Sequence, residues 1–466
     1  MARGKKKETL TPEERLQAAL VPESEQPYKV PGNWCWTQLG TYIDFATDYV
    51  ANGSFASLKQ NVAYYKEENY AILVKTQDFS NSFTEDLTYT DKRGYDFLKK
   101  SVLYGGELIL SNIGSIGKVF RVPHLNKPMT LAPNSIMIKC YRETDYDLLY
   151  YYFLSPFGTE QLYSITTGTA VKKFNKTDLK AICLPLPPLS EQQRIVDRIE
   201  SLFAKLDEAK QKAQEALDSF ETRKAAILHK AFTGELTAQW RKEHGVGMES
   251  WDNTTLSKIV IGFKYGISEK SDYSYKGMPV FRIPNITDDG LSFEDLKFLS
   301  HKDISDENQI HENDILIVRS NGSRELVGKS VLVPQLDREY AYASFLIRIQ
   351  PLESVVPNYL VMYLNSTDAR MQMFKKAKSS AGINNINSKE LGAILINLPS
   401  FSEQAEIVRI LDNLLAKEQQ AKDAAEGVLE QIDLIKKAIL TRAFRGELGT
   451  NDPSEESAVE LLKQVL

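Results

Sequence analysis

The sequence predicts an α+β protein made of two copies of one module, in which a mixed domain of strands and helices precedes a long helix. Three observations lead to this prediction. Residues 190–236 and 402–448 align without a gap at an offset of 212, and 21 of their 47 positions are identical. Both segments repeat apolar residues at helical spacing. The segments that precede them share short apolar runs typical of strands, at nearly the same offset.

The composition excludes several classes of protein. The chain has 466 residues, of which 42% are hydrophobic, enough to form the cores of several domains. Its three cysteines lack the spacing of a disulfide framework or a zinc site. Neither a signal peptide nor an apolar run of membrane-spanning length is recognisable, so we expect a cytoplasmic protein without a membrane partner. The net charge of −5 argues against binding nucleic acid by overall attraction but is compatible with a local basic face.

The first copy follows an N-terminal arm. Residues 1–30 are expected to be flexible, with one short helix near Pro12–Leu20. A basic cluster, Arg3 and Lys5–Lys7, lies at the start of this arm. Residues 31–189 are assigned to the first mixed domain. Its expected strands are Ala71–Lys75, Glu107–Leu110, Gly117–Val122 and Ser135–Cys140, and its expected helix is Asp145–Leu154.

A long helix is expected over residues 190–236, after the proline-rich segment Leu184–Leu189, and an equivalent helix over residues 402–448. Apolar residues recur in both at alternating steps of three and four, the pattern of helices that pack along each other. The apolar seam of the two helices consists of Ile195, Ile199, Leu202, Leu206, Phe220, Ile227, Ile407, Leu411, Leu414, Val428, Ile432, Ile435 and Ile439. The seam predicts that the two helices pack together, but it leaves parallel and antiparallel packing open.

The second copy repeats the first domain more faintly. The remaining assignments are a linker at 237–249, the second mixed domain at 250–401 and an acidic tail at 449–466. Trp36 is matched with Trp251 near the start of each domain, and Lys75 is matched with Arg282 at an offset of 207. Equivalent positions with different residues suggest one fold that acts on two different targets.

The sequence contains no recognisable catalytic or cofactor site. Val327–Ser330 (VGKS) resembles part of a phosphate-binding loop, but Gly322 lies one residue too far away and a strand is expected next. The five histidines lack partners at catalytic or metal-binding spacing. We therefore expect a chain that is not an enzyme by itself and that carries no cofactor or metal.

Polar loops with basic residues occur at equivalent places in both copies. One pair of loops lies at 112–118 and 319–329, and the other at 166–173 and 378–385. Arg, Lys, Asn and Ser side chains contact phosphates and base edges in the major groove. The candidate DNA-binding residues are Lys75, Asn112, Ser115, Lys118, Thr167, Thr169, Lys172, Lys173, Arg282, Arg319, Asn321, Ser323, Arg324, Lys329, Ser380, Asn384 and Asn385. For any single residue, the alternative is an ordinary surface turn.

The motifs of the two helices resemble a known family. SEQQRIV at residues 190–196, AFTGELTAQWR at 231–241 and AFRGEL at 443–448 are similar to those of the specificity (S) subunits of Type I restriction-modification systems. The resemblance covers nearly the whole chain, in the order domain, helix, domain, helix. The N-terminal arm lies outside these motifs.

This resemblance implies that each domain recognises one half of a bipartite site on double-stranded DNA. It also implies that the two helices form an antiparallel coiled coil, which fixes the spacing between the half-sites and relates the two halves by an approximate two-fold axis. The implied partners are two modification subunits, which carry S-adenosylmethionine and methylate adenine, and restriction subunits that use ATP and Mg²⁺. None of that catalysis would belong to this chain.

The alternative is a coiled-coil scaffold whose globular domains bind proteins. Salt separates the two hypotheses, because DNA binding should weaken steeply as ionic strength rises and the binding of such a scaffold should not.

Overall fold

The computed structural model describes residues 11–466, apart from residues 115, 142–144, 170 and 381. The described residues form two compact units. The first contains the residues up to Lys212 together with Val428–Leu466, and the second contains Ala213–Gly427. Both units mix strands with helices, and each includes part of both long helices. This confirms the predicted fold class.

The described part of the first unit has a main four-stranded sheet, a second four-stranded sheet and a two-stranded sheet. Its strands are Cys35–Gln38, Ile43–Asp48, Ala71–Val74, Tyr89–Thr90, Val102–Leu103, Leu108–Ser111, Val119–Arg121, Met129–Leu131, Ser135–Cys140 and Cys183–Leu186. Its shorter helices are Pro12–Ala19, Leu39–Tyr42, Phe55–Asn61, Lys92–Phe97, Tyr146–Leu154, Pro156–Ser164, Lys176–Lys180 and Ala458–Val465. All four predicted strands and the predicted helix are present, with ends that differ by at most two residues.

The described part of the second unit has a main four-stranded sheet, two three-stranded sheets and a two-stranded sheet. Its strands are Asp252–Thr255, Val260–Tyr265, Pro279–Phe281, Lys297–Phe298, Ile315–Val318, Ser320–Asn321, Ser330–Leu332, Ala341–Tyr342, Leu346–Pro351, Lys378–Ser380, Ile383–Asn385 and Leu395–Leu398. Its shorter helices are Ala238–His244, Pro357–Leu364, Thr367–Lys376 and Ser388–Gly392. The main sheets of the two units have the same strand order, with the second strand in sequence order at the edge and all neighbours antiparallel.

The strand register corrects one part of the alignment between the two copies. Cys35 and Asp252 occupy the same register position in the two-stranded sheets of their units, because they pair with Leu186 and Leu398, which are 212 residues apart. The residues that precede them, Trp34 and Trp251, therefore correspond, and the predicted match of Trp251 with Trp36 is wrong. Sequence could not decide between the two tryptophans because both flank the same cysteine.

The two corresponding tryptophans bind equivalent carboxylates. Trp34 Nε1 donates to Glu191 Oε2 over 2.7 Å, and Trp251 Nε1 donates to Glu403 Oε2 over 3.0 Å. Both glutamates belong to the SEQ motif with which the long helices begin, and both are fully buried. The repeated motif therefore anchors the start of each long helix to the domain that precedes it.

In the first unit the two long helices run antiparallel. Asp207 is ion-paired with Lys436 over 2.6 Å, whereas Arg194, earlier in its helix, binds Glu455 beyond the end of the other one. Later residues of one segment therefore contact earlier residues of the other.

The same orientation is found in the second unit. Arg223 is ion-paired with Glu418 over 2.8 Å, whereas Thr237, further on, donates to Glu403 over 2.7 Å. The orientation that the seam left open is therefore antiparallel within each unit. The approximate two-fold relation between the halves stays a prediction.

The first long helix is interrupted, contrary to the helix predicted over 190–236. Its segments are Leu189–Asp218 and Phe220–Phe232, and a turn at 233–237 separates them from Ala238–His244, a helix within the expected linker. The C-terminal helix is continuous over Phe401–Ala443 and ends five residues before the predicted residue 448. The first interruption lies at Ser219, whose hydroxyl donates to the carbonyl oxygens of Glu215 over 2.8 Å and Ala216 over 3.2 Å. Such bonds from a serine to the preceding turn commonly bend helices.

The apolar seam follows the period of a straight helix rather than a heptad. Ile407, Ala425 and Ala443 are all buried at spacings of 18 residues, about five turns at 3.6 residues per turn. A strict heptad drifts by about 20° per repeat relative to that period. The seam prediction is therefore wrong for Val428 and Ile435, which are 40% and 42% exposed.

The remaining seam residues face inward to different degrees. The buried ones are Ile195, Ile199, Phe220, Ile407, Leu411 and Ile432, and the half-buried ones are Leu202, Leu206, Ile227, Leu414 and Ile439.

The expected arm and tail are packed against the first unit. The helix Pro12–Ala19 is present as predicted, but the chain after it is held by a 2.9 Å hydrogen bond from Val21 N–H to Trp36 O. The tail buries Leu461 and Leu462 in the main core. The apolar residues of the described arm and those of the tail thus pack on a common core, whereas the flexibility expected of the arm stays a prediction. The basic cluster, Arg3 and Lys5–Lys7, lies outside the described residues.

Candidate nucleic-acid interface

The two loops predicted in the first domain lie side by side and form a small ribbon, here called ribbon 1 (residues 112–118 and 166–173). The carbonyl oxygen of Lys172 accepts a 3.1 Å hydrogen bond from the backbone of the first loop. Thr167 and Lys173 close the second loop by exchanging backbone hydrogen bonds of 2.8 and 2.9 Å. Segments about 55 residues apart in sequence are thus joined into one surface.

Ribbon 1 exposes cationic and hydroxyl side chains. Its exposed candidates are Lys118, Thr167, Thr169, Lys172 and Lys173. Asn112 is half-buried, and its Nδ2 donates to Phe174 O over 3.2 Å, so this side chain supports the ribbon from below. Ser115 lies outside the described residues.

The second domain brings its predicted loops together in the same way, and the result is here called ribbon 2 (residues 319–324 and 378–385). Ile383–Asn385 is the central strand of a small antiparallel sheet, with Ser320–Asn321 on one side and Lys378–Ser380 on the other. The duplicated loops therefore occupy equivalent structural positions in their units.

Several polar side chains of ribbon 2 stabilise the ribbon itself. Asn384 Nδ2 donates to a backbone carbonyl of the neighbouring loop over 3.1 Å, and Asn321 Oδ1 accepts a 2.8 Å bond from the Ser323 N–H. Arg324 is exposed, and its Nη2 donates to Phe374 O over 3.1 Å. Ser323 and Arg324 are thus the candidates in this loop that remain open to solvent.

Arg319 and Asn385 form the base of ribbon 2. The Arg319 guanidinium lies 4.6 Å from the centre of the Tyr265 ring, and its Nε donates to Asn385 Oδ1 over 3.4 Å. The Tyr265 hydroxyl accepts a 3.0 Å hydrogen bond from the Ser388 N–H. These contacts attach the ribbon to the edge of the main sheet. The structure describes the backbone of Ser380, which lies in a strand, but not its side chain.

Two further candidates, Lys75 and Arg282, lie outside the ribbons. They occupy equivalent positions, because each precedes a short 3₁₀ turn whose third residue binds its backbone N–H. Lys75 Nζ lies 3.6 Å from Asp78 Oδ1, and Arg282 Nη2 lies 3.1 Å from Asp295 Oδ2. The structure confirms their correspondence and places both cations against acidic groups of their own domain.

Lys329 is also held by an acidic neighbour. Its Nζ lies 2.7 Å from Asp288 Oδ1, and its side chain is only 19% exposed. The hydrogen bond from Lys329 lowers the pKa of the Asp288 carboxyl, with smaller contributions from Lys224 and Lys422. The Lys329 ammonium is therefore engaged within the protein.

Sequence reasoning missed one exposed side chain in each ribbon. Val171 in ribbon 1 is 57% exposed, and Ile383 in ribbon 2 is 52% exposed. The two residues are separated by 212 positions, the same offset as the long helices. That signal was present in the alignment, but only the polar residues of these loops were considered.

Among the described residues, no group of three or more His, Cys, Asp or Glu side chains could hold a metal ion. A search of the same residues finds no helix with the length and apolar character needed to cross a membrane.

Comparison with known protein families gives a match to each copy of the module. The family described as Type I restriction modification DNA specificity domain matches residues 50–217 and 248–426. Each match contains most of one mixed domain and continues into the long helix that follows it.

Similar proteins cover most of the chain. The Type I restriction enzyme EcoKI specificity subunit of Escherichia coli is 26% identical over 429 residues, which are 87% of this chain and 90% of that protein. The StySPI specificity subunit of Salmonella potsdam is 22% identical over 430 residues, 90% of each chain. The crystal structure of the HsdS subunit from Thermoanaerobacter tengcongensis has a TM-score of 0.64 at 22% identity, covering 91% of this chain and 100% of that one. The last likeness concerns the fold.

Proposed function

Because the chain belongs to the family of Type I restriction modification DNA specificity domains, we propose that each unit recognises one half of a bipartite site on double-stranded DNA through its ribbon. The observation that carries this proposal is the pair of ribbons at equivalent positions of a duplicated fold. Recognition of a DNA target is the role of the family as a whole. The bipartite site and the use of the ribbons are the parts that need a test.

The chemistry of the ribbons suits the major groove. This groove is about 12 Å wide and admits a two-stranded β-ribbon such as the hairpin 378–385. Ribbon 1 exposes Lys172 and Lys173, whereas the corresponding Asn384 and Asn385 bond within ribbon 2, which exposes Ser323 and Arg324 instead. Lysine and arginine bind phosphates or guanine, whereas serine contacts more than one base. The two half-sites should therefore differ in sequence.

The long helices set the distance between the half-sites in this proposal. A helix of 30 residues such as Leu189–Asp218 is about 45 Å long at 1.5 Å per residue. Successive major grooves on one side of DNA are about 34–36 Å apart, so helices of this length can span that distance. Bending or twisting a short duplex costs about 1–6 kcal/mol, which makes an incorrect spacing unfavourable.

Methyltransferase and restriction subunits are the partners that supply catalysis, with S-adenosylmethionine, ATP and Mg²⁺ bound on them and no cofactor on this chain. The C-terminal long helix offers a surface for such a partner. Val428 and Ile435 are 40% and 42% exposed and, seven residues apart, lie on one face of it. Neighbouring exposed apolar side chains favour contact with another protein.

The decisive experiment maps the methylated sequence in a host that expresses the full chain with the methyltransferase subunits of its own genome. Lys172→Ala in ribbon 1 and Arg324→Ala in ribbon 2 should each relax recognition of a different half-site, by about 1–3 kcal/mol. Lys258→Ala, at an exposed site outside the ribbons, is the matched control. If both variants affect both halves equally, the ribbons do not divide recognition between them.

Two further measurements test whether the units read the half-sites while the long helices set the spacer, and whether the chain is a scaffold instead. Adding helical residues between Leu206 and Phe220 should change the permitted spacer and leave the half-site letters unchanged. Binding of the assembled complex to DNA should weaken steeply as salt rises, with a slope set by the number of phosphate contacts. A flat response to salt would favour a protein-binding scaffold. Altered half-site letters in the insertion variant would contradict the separation between domains that read the half-sites and helices that set the spacer.

A further inference from the structure

One position of the ribbons keeps its chemical character in both copies although its neighbours change. Val171 and Ile383 are both β-branched aliphatic residues, and they align at the offset of 212. The next residue is Lys172 in one ribbon and Asn384 in the other. The polar residue thus differs between the two ribbons, whereas the residue before it is aliphatic in both.

Both aliphatic side chains lie where the ribbon reverses direction. Ile383 is the first residue of its strand and pairs with Ser380 across the turn. At the turn of ribbon 1, Gly168 has φ +99, and a Cβ there would lie 2.4 Å from the carbonyl oxygen of Val171. Only glycine allows the backbone to pass so closely. Each ribbon therefore presents its aliphatic group at its tip.

Exposure of a single apolar side chain is common in proteins and indicates nothing by itself. Here Val171 is 57% exposed and Ile383 is 52% exposed, at aligned positions of two ribbons that share few other residues. A polar residue at a ribbon tip would be better solvated in the free protein. The retained aliphatic character thus indicates an apolar group on the bound partner.

We propose that Val171 and Ile383 are specificity-determining residues, each of which packs on the C5-methyl group of a thymine in the major groove of its half-site. This inference rests on the proposed function. The thymine methyl is the apolar group that bases present in that groove, and aliphatic contact with it is a recognised form of readout. Packing would remove both the methyl and the side chain from water.

The test replaces the thymines of the recognised duplex one at a time by deoxyuridine, which lacks only the methyl group. Dissociation constants are measured for the full chain assembled with its methyltransferase subunits. One replacement in each half-site should weaken binding by about fourfold, the value expected for one buried methyl-sized group. In the Val171→Ala complex the replacement in the first half-site should have almost no further effect, and Ile383→Ala should do the same for the second.

The control is Ile261→Ala, which removes an aliphatic side chain that is 63% exposed on the main sheet of the second unit. It should leave every deoxyuridine effect unchanged. The inference is overturned if the deoxyuridine effects persist in full in the Val171→Ala and Ile383→Ala complexes, or if a half-site contains no thymine on either strand. Failure of the proposed function looks different, because Lys172→Ala and Arg324→Ala would then also leave half-site recognition intact.

Discussion

Removal of the Glu403 carboxylate should destabilise the second unit far more than removal of any surface charge. Glu403 Oε1 lies 2.7 Å from Arg241 Nη1 and accepts a 2.7 Å hydrogen bond from Thr237 Oγ1, and Oε2 accepts from Trp251 Nε1 over 3.0 Å. The side chains of Arg241 and Glu403 are 8% and 0% exposed. The network ties the short helix after the first long helix to the start of the second.

The expected magnitude follows from the burial of this ion pair. Taking away one partner of a buried pair typically costs about 3–5 kcal/mol, because the other charge stays buried without compensation. For a unit of this size, each kcal/mol lowers the melting temperature by about 2–4 °C, so Glu403→Ala should lower it by about 6–20 °C. Replacing both partners, as in Glu403→Leu with Arg241→Met, should recover much of this loss because no unpaired charge remains.

Denaturant unfolding and hydrogen exchange measured by mass spectrometry would test this prediction in the full chain. Peptides from Ala213–Gly427 report on the second unit separately, which is needed because two units need not unfold in one step. The control is Glu406→Ala, which removes a pair with Arg409 on the helix surface, for which a loss below about 1 kcal/mol is expected. If Glu403→Ala costs no more than Glu406→Ala, the buried network does not stabilise the unit.

Three further predictions concern the packing of the first unit. Ile432→Asp should lower the free energy of unfolding by about 3 kcal/mol or more in denaturant unfolding, because Ile432 is only 2% exposed. Ile435→Asp should change it by less than about 0.5 kcal/mol, because Ile435 is 42% exposed. Equal effects of the two variants would contradict the packing. Burial raises the pKa of Cys35 to about 12, so little thiolate exists at pH 8 and alkylation by iodoacetamide, followed by mass spectrometry, should be much slower than in the unfolded chain. Leu462→Ala should lower the free energy of unfolding by about 2–5 kcal/mol, because this tail residue is fully buried. Lys463→Ala, on the exposed side of the same helix, should leave the melting temperature unchanged. An unchanged melting temperature for Leu462→Ala as well would mean that the tail is not packed.

The elements of the fold could be predicted where the sequence carries a local signal. Ser135–Cys140 was predicted with both ends correct, because an apolar run bounded by turn residues has few alternatives. The seam of the C-terminal helix was predicted less well. A heptad and a 3.6-residue period coincide near Ile407 but diverge by the time the chain reaches Ile435, and only the packing partner shows which period applies.

The ribbons show a different limit. Their location could be predicted, because duplication places the two loops of each domain at matching positions. The roles of individual side chains could not. Asn384, Arg319 and Arg324 are all polar and all were candidates for DNA contact, yet the first two bond within the ribbon and Arg324 is exposed. Which way a polar side chain faces depends on partners that are distant in sequence, such as Tyr265 beneath Arg319.

The two carboxylates at the helix starts show what duplication keeps and what it changes. Glu191 and Glu403 are identical, and each accepts a hydrogen bond from a corresponding tryptophan. Their other donors differ, because Glu403 is paired with the guanidinium of Arg241, whereas Glu191 accepts from the neutral side chains of Thr450 and Asn451. A buried carboxylate needs donors, but it does not prescribe which residues supply them. Positions that are identical in the two copies therefore fix the helix starts, and changes are tolerated wherever an equivalent donor can take over. A ribbon tip has no such internal constraint, and the aliphatic character retained there is what the proposed contact with DNA accounts for.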